Sequence, residues 1–119
     1  MERLYTILHR EASNTNRIHL YNEDGKWYAY EKSACHLAGK FPGCRLEQIV
    51  DTETETILLR GVLNDYPVLT ERHAPVRLIT DSLTEGYVEL ENLPPLEEDI
   101  FNHWKRMMLK MKTLNYIVL

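Results

Sequence analysis

The alternation of apolar and polar residues predicts a β-hairpin over residues 17–30. An alternating run at 17–21 is followed by Asp24-Gly25 and then by an aromatic run at 27–30. An Asp-Gly pair between two such runs is typical of a type I′ turn, because that turn needs a positive φ at both central residues. The sequence therefore predicts a hairpin that leads directly into the helical pattern behind it.

The Asp24-Gly25 loop also fixes which side chains share a face. With these two residues as the loop, Tyr21 lies opposite Tyr28, and successive side chains alternate between the two faces. The apolar face of the hairpin comprises Ile18, Leu20, Trp27 and Ala29. The aromatic face comprises His19, Tyr21, Tyr28 and Tyr30.

Two apolar stripes with helical spacing predict helices at 31–41 and 96–112. The first ends at Pro42-Gly43, and the second carries acidic residues at its start and basic residues at its end, which suits the helix dipole. The first stripe comprises Ala34, Leu37, Ala38 and Phe41. The second comprises Leu96, Ile100, Phe101, Trp104, Met107, Met108 and Met111.

The remaining apolar runs predict further strands. We expect strands at 46–50, 56–63, 76–80 and 87–91, a strand or helix at 4–8, a polar loop at 13–16, and a helical turn within 64–72, broken by Pro67. Strands and helices are mixed without strict βαβ alternation. The pattern therefore predicts an α+β domain, with helices packed on a mixed central sheet.

The tail at 114–119 is apolar and β-like. A free β-edge of this kind attracts another strand unless it is paired or covered. The tail either completes the sheet of this domain or pairs with a second copy across a two-fold axis. We favour the internal strand and leave a homodimer open.

Length and charge narrow the classes of protein. The 119 residues fit a single domain, 1–119, and the net charge of −4 disfavours a general DNA-coating role. The N-terminus lacks a signal pattern, and no apolar stretch reaches the roughly 18 residues that a membrane helix needs. We therefore expect a small cytoplasmic protein that does not bind membranes.

The aromatic face, together with Trp27, Arg17 and Lys26, is a candidate nucleic-acid surface, because bases stack on aromatic rings. The favoured alternative is that the C-terminal helix covers these rings, or that they simply pair across the strands. An acidic protein repels phosphate, which supports the alternative.

Cys35, His36 and Cys44 invite a zinc interpretation, but their spacing matches no standard ligand set. Adjacent Cys35 and His36 point to different helix faces, which also disfavours a nucleophile–base pair. The two cysteines are better explained as small core residues. No nucleotide-binding, dinucleotide or hydrolase motif occurs, so we expect no metal, no cofactor and no catalysis.

Residues 18–21 and 25–34 resemble the start of the N-terminal mismatch-recognition domain of MutS proteins. That family has an apolar strand, a Gly-x-Phe-Tyr-Glu hairpin, and a helix start that Ala29-Tyr30 and Ala34 match. The segment 59–63 is similar to the family's apolar-Gly-Ile-Pro segment, with Leu63 where proline is usual. The resemblance implies this fold, in a small stand-alone bacterial protein without the ATPase.

In the MutS family a phenylalanine stacks on the mismatched base, and a glutamate two residues later hydrogen-bonds it. Aligned on Gly25, these positions hold Trp27 and Ala29; aligned on Ala29-Tyr30, they hold Lys26 and Tyr28. Neither alignment supplies the glutamate, so mismatch reading is not expected. Two hypotheses follow: a non-catalytic protein-interaction module is preferred, and a nucleic-acid-binding module is the alternative, with a small enzyme third.

Overall fold

The structure, a computed structural model, describes residues 4–111 and 114–118, apart from the side chain of Leu83. The strands are β1 (Arg17–Glu23), β2 (Lys26–Tyr30), β3 (Arg45–Asp51), β4 (Thr56–Leu63), β5 (Arg77–Ser82), β6 (Tyr87–Glu91) and β7 (Asn115–Val118). The helices are α1 (Leu4–Ala12), α2 (Lys32–Lys40) and α3 (Glu98–Leu109), with short 3-10 turns at Glu71–His73 and Leu83–Glu85.

The strands form one seven-stranded sheet in the order β5-β6-β1-β2-β4-β3-β7. Every neighbouring pair is antiparallel except β3 and β7, which are parallel. The predicted α+β class with a mixed central sheet is therefore confirmed. The tail pairs with β3 of its own sheet over Asn115–Val118, as preferred from the sequence.

The hairpin forms as predicted. Asp24 and Gly25 have φ values of 54° and 83°, the positive angles that a type I′ turn needs. Tyr21 lies opposite Tyr28, so the predicted register and the division into two faces are confirmed.

The chain turns from β2 into α2 at Glu31, whose φ is 51°. A non-glycine residue rarely adopts this backbone, so its surroundings must hold it there. The Glu31 N–H donates to the Leu59 carbonyl at 2.9 Å, and its Oε2 accepts from the Leu59 N–H at 3.1 Å. In the second bond, the Glu31 carboxylate accepts where the backbone carbonyl of a regular strand residue would, so it extends the ladder between β2 and β4 by one pair.

Helices α1 and α2 pack on opposite faces of the sheet. On one face, Leu37 of α2 and Phe41, which directly follows α2, pack in the main core with the apolar face of the hairpin and with Leu63, Val76, Val88 and Leu90. On the other face, Ile7 of α1 packs against Tyr21 and Tyr30. Helix α3 lies beside α2, and the Gln48 side chain of β3 donates to the Leu109 carbonyl at 3.3 Å.

Two segments differ from the sequence prediction or were left open by it. The apolar run at 4–8, left open as strand or helix, lies within helix α1, which continues to Ala12. The helical turn expected within 64–72 was wrong for most of that range, because the only helical residues there begin a 3-10 turn at Glu71. Pro67 lies in an irregular segment whose backbone has a Val68 N–H to Tyr66 carbonyl bond of 2.9 Å.

Candidate functional site

The seven residues proposed for nucleic-acid binding do not share one surface. His19, Tyr21, Trp27 and Tyr30 are buried, Tyr28 and Arg17 are half-buried, and Lys26, the first residue of β2, is exposed. Trp27 lies on the α2 side of the sheet, with its ring 5.6 Å from Tyr66 in an edge contact. The buried rings therefore present no free face on which a base could stack.

Helix α1, not the C-terminal helix, covers the aromatic face, so the prediction of the covering helix was wrong. The reason is that α1 turns Ile7 onto Tyr21 and Tyr30, while α3 lies beside α2. The predicted cross-strand aromatic contacts do form: Tyr21 and Tyr30 meet at 6.3 Å between ring centroids, at an angle of 60°. The Arg60 guanidinium lies 4.5 Å from the centroid of the Tyr28 ring.

The buried His19 belongs to a hydrogen-bonded chain between β1 and β6. Its Nδ1 lies 2.7 Å from the Tyr87 hydroxyl, which donates to Glu89 Oε1 at 2.9 Å. Because the hydroxyl proton points to Glu89, His19 carries its proton on Nδ1 and donates to Tyr87. Burial lowers the pKa of His19 to about 4, so the ring is neutral at pH 7.

Arg17, which contacts Glu89 of these hydrogen-bonded residues, is already paired with carboxylates. Arg17 contacts Glu89 at 3.0 Å and Glu91 at 2.6 Å, and Arg77 also contacts Glu91, at 2.7 Å. A phosphate at Arg17 would have to compete with two carboxylates. Arg17 therefore offers little net attraction for a nucleic-acid backbone.

The positions that the resemblance aligns with the base-reading residues of MutS are equally unsuited to reading a base. Trp27 and Ala29 are both buried, and in the second alignment Lys26 is exposed and Tyr28 is half-buried. Neither pair places an exposed aromatic ring beside a carboxylate.

The structure contains a buried carboxylate that was not predicted from the sequence: Glu11, which is 3% exposed. Its Oε1 accepts from the Ser33 N–H at 2.9 Å and from Asn14 Nδ2 at 3.0 Å, and its Oε2 accepts from the Ser33 hydroxyl at 2.6 Å. Burial raises the pKa of Glu11 to about 7, against the opposing effect of these hydrogen bonds from Ser33 and Asn14. The carboxyl group thus ties α1 to the start of α2 and changes charge near neutral pH.

One sequence signal could have found this residue. Glu11 stands one helical turn after Ile7, so a helix at the N-terminus places both on the face toward the sheet. The strand alternative for 4–8 hid this relation.

The two cysteines are free and half-buried, and Cys44 packs against the main core. Burial raises the pKa of both thiols to about 11, so neither is an activated nucleophile at pH 7. His36 instead lies 2.9 Å from the Thr15 carbonyl and 2.8 Å from Asn92 Nδ2. Among residues 4–111 and 114–118, no group of three His, Cys, Asp or Glu side chains is arranged to hold a metal ion.

An exposed apolar surface lies at the β7 edge of the sheet. Tyr116 and Val118 are 62% and 59% exposed, and Ile57 of β4 is 40% exposed. Val50 of β3 pairs with both Ile57 and Val118, so these three side chains form a row across the sheet. We call Val50, Ile57, Tyr116 and Val118 the edge surface. In the described part of the chain no strand pairs with the outer side of β7.

No family model, curated protein or solved structure matches this chain. Within the described residues, none of the helices has both the length and the apolar character needed to cross a bilayer. The chemistry of its own residues therefore has to carry any functional argument.

Proposed function

We propose that this chain is a non-catalytic protein-interaction module that binds an extended apolar segment of a partner protein along the outer edge of β7. One observation carries the proposal: β7 has no charged residue, and its Tyr116 and Val118 are part of the exposed edge surface. A partner strand that adds to such an edge gains main-chain hydrogen bonds, and alternate side chains give it specificity.

The opposite edge of the sheet supports this choice of β7. Strand β5 carries Arg77 and Asp81, and a register shift between Leu78 and Thr80 interrupts its pairing with β6. Charges and irregularities of this kind protect edges against unwanted pairing. The β7 edge lacks such protecting charges, which is what a binding edge requires.

We further propose a MutS N-terminal-domain-like fold that does not read mismatches. The resemblance at 18–21 and 25–34 supports the fold, and the order of hairpin and helix agrees with it. The burial of Trp27 and Ala29 supports the loss of mismatch reading. The raised pKa of the thiols and the structural hydrogen bonds of Glu11 to Ser33 and Asn14 support a non-catalytic role. The two free thiols support a cytoplasmic location.

The test is a titration of the protein with the peptide of residues 114–119, which is an extended apolar segment without charge. We expect the peptide to bind and to protect β7 amides that point away from β3 from hydrogen exchange. Val118→Lys should weaken binding by about tenfold or more, because it places a charge on the paired edge. The matched control is Val68→Lys, at a residue that is 68% exposed and lies outside the edge surface.

Self-association measured by sedimentation would also support the proposal if Val118→Lys abolished it and Val68→Lys did not, since a second copy would then supply the segment. Absence of both peptide binding and self-association at millimolar concentration would refute it. Salt-sensitive binding of duplex or single-stranded DNA, without peptide binding, would replace it by the nucleic-acid hypothesis.

A further inference from the structure

A groove of about 480 Å³ lies at the end of the sheet where β2 passes into α2. Helices α1 and α3, the start of α2 and the β3–β4 turn contribute to its lining. Leu8, Leu58 and Phe101 give it apolar walls, and Lys32, Glu98 and Lys105 are among its charged groups. Its volume falls within the roughly 300–1,000 Å³ of small-molecule sites.

Lys32 is the most buried positively charged residue among those named for this groove. Its side chain is 8% exposed, and its Nζ donates to the Ala12 carbonyl at 3.3 Å. The same Nζ lies 5.8 Å from the centroid of the Phe101 ring and 2.6 Å from Glu98 Oε2. The backbone carbonyl and the ring hold the ammonium group in place, and one carboxylate balances its charge.

That carboxylate belongs to a surface residue. The side chain of Glu98 is 64% exposed, so it leaves Lys32 for water at little desolvation cost. The pairing of an exposed carboxylate with a buried ammonium group is therefore open to exchange for another anion.

The second ion pair of the groove differs. Lys105 contacts Glu31 at 2.5 Å, and the side chains are 22% and 13% exposed. The other oxygen of Glu31 accepts from the Leu59 N–H, so this carboxylate cannot move without opening the β4 ladder. Among the described ion pairs of this groove, only that of Lys32 has a readily displaced partner.

We infer that the groove binds a small molecule with a carboxylate and an apolar body. The ligand carboxylate takes the place of Glu98 on Lys32. The apolar body lies against Leu8, Leu58 and Phe101. A charge-assisted bond to a largely buried ammonium group is stronger than one in open solvent, and the apolar walls add binding through burial. This site is separate from the edge surface and does not depend on the proposed function.

Octanoate is the probe, and octanamide is its neutral counterpart. We expect octanoate to bind to the folded protein in calorimetry and to shift the backbone amide resonances of groove residues. Lys32→Met should weaken binding by at least about tenfold, whereas Glu98→Gln should strengthen it about threefold by removing the competing carboxylate. The matched control is Lys110→Met, which makes the same charge change at an exposed residue at the C-terminal end of α3, outside the groove. This variant should bind octanoate with an affinity within about twofold of the wild type.

Lys32→Arg is a second variant, for the case that Lys32→Met does not fold. It keeps the positive charge and should retain octanoate affinity to within about tenfold of the wild type. Equal binding of octanoate and octanamide, or of the wild type and a folded Lys32→Met variant, would overturn the inference. So would octanoate binding that Glu98→Gln weakens. Absence of any octanoate-induced shift in the groove at 10 mM probe would also overturn it.

Discussion

Replacing Glu11 with glutamine should stabilise the protein above neutral pH. Burial raises the pKa of Glu11 from 4.5 to about 7 in the folded state, so the folded protein holds this proton more tightly than the unfolded chain. The free energy of unfolding is therefore highest, as far as Glu11 determines it, below pH 4.5, and this contribution is lost as pH rises through about 7. The full loss corresponds to about 3 kcal/mol.

Glutamine resembles the neutral carboxyl group. Its side-chain oxygen can accept from the Ser33 N–H, as Oε1 of Glu11 does at 2.9 Å. Its amide can donate to the Ser33 hydroxyl oxygen, and that hydroxyl can turn toward the Arg17 carbonyl, 3.4 Å away. The substitution therefore removes the charge while retaining the link between α1 and α2.

The histidines produce the opposite pH dependence. Burial lowers the pKa of His19 from 6.5 to about 4, and burial also lowers that of His36. Stability from a buried neutral histidine is present above pH 6.5 and is lost as pH falls. Between pH 4.5 and 6.5 the Glu11 and histidine effects oppose each other, so the wild type should show a shallow profile.

The assay is urea unfolding from pH 4.5 to 8.5, followed by the combined fluorescence of the buried Trp27 and of Trp104 in α3. We expect Glu11→Gln to match the wild type near pH 4.5 and to exceed it in free energy of unfolding by about 3 kcal/mol at pH 8.5. Its stability should rise with pH up to about 6.5, the ordinary pKa of histidine, and then level off. The control is Glu53→Gln in the exposed β3–β4 turn, which should stay within about 0.5 kcal/mol of the wild type. A Glu11→Gln variant that is less stable than the wild type at pH 8.5 would refute the reasoning, because the hydrogen bonds to the carboxylate would then outweigh its burial.

Two packing predictions concern the faces of the sheet. Gly61→Ala should lower the free energy of unfolding in urea by about 1–3 kcal/mol, because a Cβ there would lie 2.9 Å from Cys44 Sγ. Adding Cys44→Ala should recover part of this loss, and a double variant without any recovery would contradict the contact. Ile7→Ala should cost about 2–5 kcal/mol, because it leaves a cavity between α1 and the aromatic face, whereas Tyr5→Ala on the exposed side of α1 should change stability by less than about 1 kcal/mol. Equal losses for the two α1 variants would contradict the packing of α1.

The hairpin could be predicted because its cause is local. Asp24-Gly25 sets the turn, and the alternation around it sets the register, without reference to distant residues. The strand at Tyr87–Glu91 was also predictable locally, since apolar Val88 and Leu90 alternate with polar residues in the sequence, and in the structure these two are the buried ones. The conformation of such a segment is set by its own residues and depends little on the rest of the fold.

The candidate sites could not be predicted because they depend on tertiary contacts. The alternation gave the aromatic face correctly but not the helix that covers it, since α1 and α3 both carry apolar stripes. The spacing of α3 predicted a continuous stripe, yet Phe101 is buried while Ile100 and Met107 remain exposed. Which part of a stripe is covered depends on the position of α3 beside α2, and sequence periodicity does not contain that information.

The sheet order has a consequence for folding. The four strands from β1 through β3 in that order, β1-β2-β4-β3, all come from residues 17–63, so the centre of the sheet forms from one continuous segment. Closing its loops costs less entropy than docking β7 onto β3, which lies far upstream in sequence. We therefore expect the centre to form first, with β6 and β7 adding from either side. Late addition of β7 leaves the outer side of β3 open during folding, and a second chain could occupy it in a domain-swapped pair.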